Sequence, residues 1–145
     1  MEVYTIGFTK KTAANFFTAL RRAGVRRLLD VRLHNTSQLA GFAKRRDLCF
    51  FLRELCAAEY IHEPLLTPTP DLLGAYRQQR ISWQEYDTRF RALLIDRAVE
   101  TRLDRRAFEM PTVLLCSEAA ATRCHRRVAL EYLQEHWGDV QIVHL

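Results

Sequence analysis

Apolar and polar positions follow two different periods along this chain, one of two residues and one of three to four. Val3-Tyr4-Thr5-Ile6 is a short β-rich run closed by Gly7, which predicts a strand. Ala13, Phe16, Phe17 and Leu20 then recur at helical spacing, and Gly24 stands where a glycine ends a helix. Arg27-Leu28-Leu29-Asp30-Val31-Arg32 reads as a second strand that ends in charge. A loop over 33–43 follows, carrying His34, Asn35, Ser37 and Gly41. Leu48, Phe51, Leu52, Leu55 and Cys56 mark a second helix, and Tyr60-Ile61-His62 a short third strand.

Residues 63–81 hold Pro64, Pro68, Pro70 and Gly74 and read as the longest irregular connection. Ser82-Trp83-Gln84-Glu85 fits a capping box, in which Ser and Glu satisfy each other's backbone donors. Trp83, Tyr86, Phe90, Leu93 and Leu94 continue it as an amphipathic helix to about Leu103. Thr112-Val113-Leu114-Leu115-Cys116 is the most apolar run, as expected of a central strand covered on both faces. Val128, Ala129, Tyr132 and Leu133 mark the last helix, ended by Gly138, and Val140 to His144 a final strand. Strands alternate with helices from end to end. The expected fold is α/β: a single domain over 1–145, with a mostly parallel sheet of about five strands and helices on both faces.

Composition narrows the setting. A length of 145 residues, 48% hydrophobic and 27% charged, suits one globular domain without disulfide or metal staples. No run approaches a membrane span of ~20 apolar residues, and the N-terminus lacks a basic-then-apolar signal, so a cytoplasmic protein with no membrane partner is expected. Cys49, Cys56, Cys116 and Cys124 are then expected as reduced thiols. Cys49 and Cys56 lie two helical turns apart, about 10 Å by helix rise, too far to bridge. The net charge is +5, and of the 22 basic residues only Lys10, Lys11 and Lys44 are lysine. Arginine grips phosphate and carboxylate with a two-pronged fork, so anionic partners are indicated. Acids are scattered among the arginines, so no long basic stripe for nucleic acid stands out.

In open parallel sheets, ligands bind beyond the carboxyl ends of the strands. Three such ends are distinctive here: Gly7, Asp30-Val31-Arg32, and Cys116-Ser117-Glu118 leading into Cys124-His125-Arg126. Strand alternation puts Asp30 and Arg32 on one side, where Asp30 can aim Arg32 at an anion or simply neutralise it. Cys116 alone suits a core thiol. With Thr122 as helix cap, Cys124, His125 and Arg126 fall in a first helical turn, where backbone donors attract anions and favour a thiolate. Asp30, Arg32, Cys116, Glu118, Cys124 and Arg126 are therefore expected around one cavity.

A Cys-x5-Arg phosphate loop starting at Cys116 would need arginine at the position of Thr122; Arg123 is one residue late. Cys116, Cys124, His125 and Glu118 could offer metal ligands, but no Cys-x-x-Cys pair supports this, and no metal or cofactor is expected. His62 and His144 read as structural. No Walker loop, GxGxxG, nucleophile-elbow serine or HExxH is present.

Tyr4-Thr5-Ile6-Gly7, Asp30-Val31-Arg32 with Ser37 and Phe42, Tyr60-x-His62, Leu115-Cys116-x-Glu118, Cys124-His125-Arg126-Arg127 and a terminal Val143-His144 occur in the order of a known pattern. On these motifs the chain resembles the domain of unknown function 488 family over nearly its whole length. Cys-x-Glu-x5-Cys-His-Arg is the most specific piece and stands intact from Cys116 to Arg126. Family members usually carry histidine where Phe8 stands, and a proline between the Asp-Val-Arg motif and the serine, where Asn35 and Thr36 stand here. The resemblance implies a compact α/β fold with a motif-lined pocket, and supplies no settled reaction.

The leading expectation is an enzyme or sensor for a small anionic ligand, nucleotide-like or phosphorylated. Arg32 and Arg126 would hold the anion with backbone donors at Gly7 and the helix start, Ser37 and His125 assisting. Cys124 or Cys116 would react, and Glu118 would carry protons. The alternatives are a non-catalytic module binding nucleic acid or protein through its arginines, and a metal or redox site.

Overall fold

The computed structural model describes residues 1–36 and 40–145. Ser37, a candidate ligand contact, lies outside the described residues. Five strands form one parallel sheet: β1 (Glu2–Gly7), β2 (Arg27–Asp30), β3 (Glu59–His62), β4 (Thr112–Cys116) and β5 (Gln141–His144), in the spatial order β3-β2-β4-β1-β5. The apolar run 112–116 is central and fully buried, as its composition predicts. Among the described residues, no helix is long and apolar enough to cross a membrane.

Alternation along the strands divides the core in two. Leu28, Val113 and Leu115 pack on one face with Phe16, Phe17, Leu20, Leu48 and Leu52. These come from α1 (Ala13–Arg22) and α2 (Arg45–Phe51), the latter continued by a π-helical turn, Leu52–Cys56. Leu29, Leu114 and Cys116 face the other way, against α3 (Pro70–Arg77), α4 (Trp83–Asp96), α5 (Val99–Arg102) and α6 (His125–Trp137). Helices thus cover both faces.

Local chemistry explains most boundaries. Thr12 Oγ1 caps α1 by accepting from the Asn15 N–H. Gly24 and Gly138 follow α1 and α6 at φ values of 66° and 84°, conformations that glycine adopts without Cβ strain. Four details differ from the sequence expectation. The stretch 63–81 is not irregular: it holds a 3-10 turn (Pro64–Leu66) and α3, with Thr69 accepting from the Leu72 N–H and Pro70 in the first turn. Proline there is compatible with a helix because the first N–H groups have no intrahelical partner. Ser82 caps α4 through the Glu85 N–H, but the Glu85 carboxylate turns outward to pair with Arg89. The helix breaks at Asp96, where Arg97 donates to the carbonyls of Pro64, Leu65 and Thr67 and Ala98 goes left-handed. β2 stops at Asp30, because that carboxylate takes the Arg32 backbone N–H at 3.1 Å.

The connections make β4 special. β1 and β2 flank it, and both lead into helices on the α1/α2 face. β4 itself leads into α6 on the opposite face. Chains leaving neighbouring strands toward opposite faces open a crevice at their carboxyl ends. Cys116 is the last residue of β4.

A cysteine and histidine cleft at the end of the central strand

The crevice is a cleft lined by Arg32, Leu33 and His34 after β2 and by Cys116, Ser117, Glu118, Arg123, Cys124 and His125 around the β4–α6 loop. Leu73, Tyr76 and Arg77 of α3 and Tyr86 of α4 form its wall. The cleft encloses about 60 Å³, room for only a few water-sized groups, since one water needs about 10–15 Å³.

Cys124, not Thr122, is the residue that begins α6; Thr122 is exposed in a turn. His125 is therefore the first helical residue, and its buried ring points back under the sheet edge. Its Nε2 lies 2.8 Å from the Val31 carbonyl oxygen. A carbonyl only accepts, so Nε2 carries the proton and Nδ1 does not; Cys116 Sγ lies beside the ring, 3.6 Å from Nδ1 and 4.0 Å from Nε2. The edge of Phe90 holds the ring from the side.

Cys116 and Cys124 share hydrogen bonding. The Cys124 thiol, then the Arg126 charge and the Ser117 and Glu118 backbone amides, hold Cys116 below the ordinary thiol range despite its burial. Cys124 is pushed up, first by that bond to Cys116 and then by burial. The Arg126 guanidinium actually lies nearer Cys124, 3.5 Å from its sulfur. The negative charge of the pair is still better placed on Cys116, which receives the other thiol and two backbone amides. This reverses the sequence expectation, in which Cys124 was the more activated thiol. Cys49 and Cys56, outside the cleft, are free thiols pushed up by partial burial.

The two motif arginines behave differently from expectation. Arg32 is buried, with Nε and Nη2 each 2.8 Å from the Asp30 carboxylate and Nη1 2.7 Å from the Ala43 carbonyl. Its guanidinium lies over the Phe8 ring, which gives the unusual Phe8 a cation–π role. Tyr60 donates to the same carboxylate, Asn35 donates to Tyr60, and His62 Nε2 donates to the Arg32 carbonyl. Asp30 thus neutralises Arg32 within a closed network, and its fork is not free for a ligand. Arg126 is also buried and faces inward, its Nη1 2.6 Å from the Glu118 carbonyl and Nη2 3.4 Å from that of Ala119. It has no carboxylate partner, and its Nε has no hydrogen-bond partner among the described residues.

Asp30, Arg126 and Gly7 accordingly lie behind the cleft, while Arg32, Cys116, Glu118, Cys124 and His125 line it. Gly7 supports the wall: a Cβ there would overlap the Glu118 carbonyl. The Glu118 side chain is exposed at the rim, whereas a carboxyl that exchanges protons with a thiol needs a buried setting, so the expected proton-carrying role draws no support from its place. His144 bonds Thr5 Oγ1, as a structural histidine does.

Two residues at the mouth were not singled out from sequence. Arg77 and Arg123 are exposed and form no ion pair among the described residues. Arg123 precedes Cys124 directly, which was a usable signal; Arg77 sat in the stretch read as irregular. Elsewhere, Arg27, Arg53, Arg89, Arg91, Arg105 and Arg127 are paired with acids. Cys116, Cys124 and His125 also form a set that could hold a metal ion, their donor atoms all within 4.8 Å of one another.

No curated protein and no solved structure gives a significant match to the chain. The family model described as Domain of unknown function DUF488 matches residues 12–133, most of the sequence, and the chain belongs to that family.

Proposed function

We propose that the cleft takes a small anionic molecule, carrying a carboxylate or phosphate group, and that the Cys116–Cys124–His125 floor is the group that acts on it. The observation that carries this reading is the pairing of depth and rim. The floor has three reactive donors in one buried cluster, and the mouth has two exposed arginines that form no ion pair among the described residues. A few-atom anionic head fits the enclosed volume of about 60 Å³. Tyr76, packed at a 34° tilt on the buried Tyr86 with ring centroids 4.8 Å apart, offers an aromatic side to the remainder of the molecule, as a base or aryl ring would use.

The anion-holding role moves from Arg32 and Arg126 to Arg77 and Arg123, since the first two are committed to Asp30 and to backbone carbonyls. Those two instead fix the shape of the walls. A nucleic-acid module draws less support, because six arginines outside the cleft are already paired with acids. Calorimetric titration with phosphate and with a nucleoside monophosphate tests the reading. Saturable binding that weakens in Arg77→Ala and in Arg123→Ala is expected. No heat at millimolar ligand, with an unchanged thermal midpoint, defeats it.

A further inference from the structure

The geometry points to Cys116, Cys124 and His125 as a three-donor site for a zinc-class divalent cation, with its fourth coordination position open to the cleft.

Four features converge on this. The first is distance. Tetrahedral zinc, with Zn–S near 2.3 Å and Zn–N near 2.05 Å, requires S···N separations of about 3.6 Å. Cys116 Sγ and His125 Nδ1 stand 3.6 Å apart, and Cys124 Sγ completes a set within 4.8 Å. The second is the histidine's tautomer. Its Nε2–H is held by the Val31 carbonyl, which leaves Nδ1 as the unprotonated nitrogen able to ligate, and Cys116 Sγ lies against the ring, 3.6 Å from Nδ1 and 4.0 Å from Nε2. A backbone carbonyl on the distal nitrogen is the usual outer partner of a metal-bound imidazole. The third is openness. All three residues line the cleft, and no fourth Cys, His, Asp or Glu joins them among the described residues. Three protein donors plus one exchangeable position is the arrangement of catalytic rather than structural zinc.

The fourth feature is charge. Two thiolates neutralise a divalent cation, each releasing its proton on binding. Arg126 then stands 3.5 Å from the Cys124 sulfur with no carboxylate partner among the described residues, leaving the filled site with one net positive charge. The open position therefore favours an anion over water. Soft sulfur and imidazole donors select zinc over magnesium or calcium. Only the identity of this fourth ligand rests on the anion reading given above; the three-donor site stands on its own geometry.

The test uses the full chain, reduced, stripped with a chelator and titrated with Co²⁺. One equivalent should bind, giving near-ultraviolet thiolate-to-cobalt charge transfer and the visible bands of a tetrahedral ion, both displaced by Zn²⁺. Cys116→Ser, Cys124→Ser and His125→Ala should each abolish or displace these bands, and a Cys49→Ser/Cys56→Ser double variant should keep them. Absence of the bands in the unmodified chain, their survival in both cleft-cysteine variants, or their loss in the double variant overturns the site. X-ray absorption of the zinc-loaded unmodified chain removes any dependence on variant folding. Two sulfurs at about 2.3 Å support the site, and a shell of nitrogen and oxygen alone overturns it. Phosphate is then added to the cobalt form. Phosphate heat without cobalt bands sinks the metal site and leaves the anion reading. Cobalt bands without phosphate heat leave the metal site and sink the anion reading.

Discussion

The Glu118 carbonyl passes directly over the Cα of Gly7, in the space where any other residue would carry its Cβ. That same carbonyl accepts from Arg126 Nη1 at 2.6 Å. The end of β1 thus sets the height of the β4–α6 loop, and the loop positions the arginine beneath the two cysteines. Gly7→Ala must displace backbone rather than a flexible side chain. A loss of about 3 kcal/mol in denaturant unfolding is expected, with weaker ligand binding in whatever fraction folds. A stability within 0.5 kcal/mol of the parent would mean that the loop moves freely over β1.

Asp30 and Arg32 form a buried pair with both carboxylate oxygens engaged. Removing one member strands the other charge out of water, which costs more than the intact pair contributes. Asp30→Asn keeps the shape but not the charge, and should cost about 3–5 kcal/mol by chemical denaturation. Loss of under 1 kcal/mol would show that water reaches the guanidinium and that the network is not closed.

Much of the fold was legible because each strand and helix carries its own period. The strand at 112–116 declared its central place by being apolar at every position, and Gly24 and Gly138 marked helix ends as a positive φ demands. α3 was not legible, because three prolines in 64–70 read as breakers, although Pro70 in a first turn costs the helix nothing. The cleft was legible in its floor, since residues at the ends of parallel strands must converge. Its arginines were misassigned for a physical reason. Asp30 two residues before Arg32 is equally the sequence of an aimed arginine and of a neutralised one, and only burial separates the two. Cys124 was ranked above Cys116 on an assumed Thr122 cap. The cap is Cys124, two residues later, and the Cys124 thiol is the donor to Cys116.

Tyr60 gives the closed network a pH signature. Burial, and then its bond to the Asp30 carboxylate at 2.5 Å, raise the phenol above its ordinary value of 10.0. A group raised in the folded state contributes stability that is fully present below its unfolded value and lost as pH climbs through the folded one. Unfolding free energy should therefore decline above about pH 10. Tyr60→Phe should lower stability near neutrality by about 1–2 kcal/mol and make the alkaline decline shallower. Tyr86, also raised by burial, keeps part of the slope in that variant. An identical alkaline slope in Tyr60→Phe would show that the phenol is not engaged with Asp30.

Arg123 and Arg126 stand three positions apart and should respond oppositely to substitution. Arg126→Lys cannot span the Glu118 and Ala119 carbonyls together, so a stability loss of about 2 kcal/mol is expected. Arg123 is exposed at the mouth of the cleft and forms no ion pair among the described residues. Arg123→Ala should therefore leave stability within about 0.5 kcal/mol. Yet a charge-assisted contact to an anion contributes roughly 1.5–3 kcal/mol, so binding of phosphate or a nucleoside monophosphate should fall about tenfold or more. Arg77, reaching the same mouth from α3, should act alike. Because both arginines are exposed, added salt should weaken binding to the parent chain and matter less in the double variant, where the screened charges are gone. Calorimetry at two ionic strengths on parent, single and double variants reads this directly. Equal affinity in all four proteins would remove these two arginines from the site and return the anion, if one binds, to the donors on the floor.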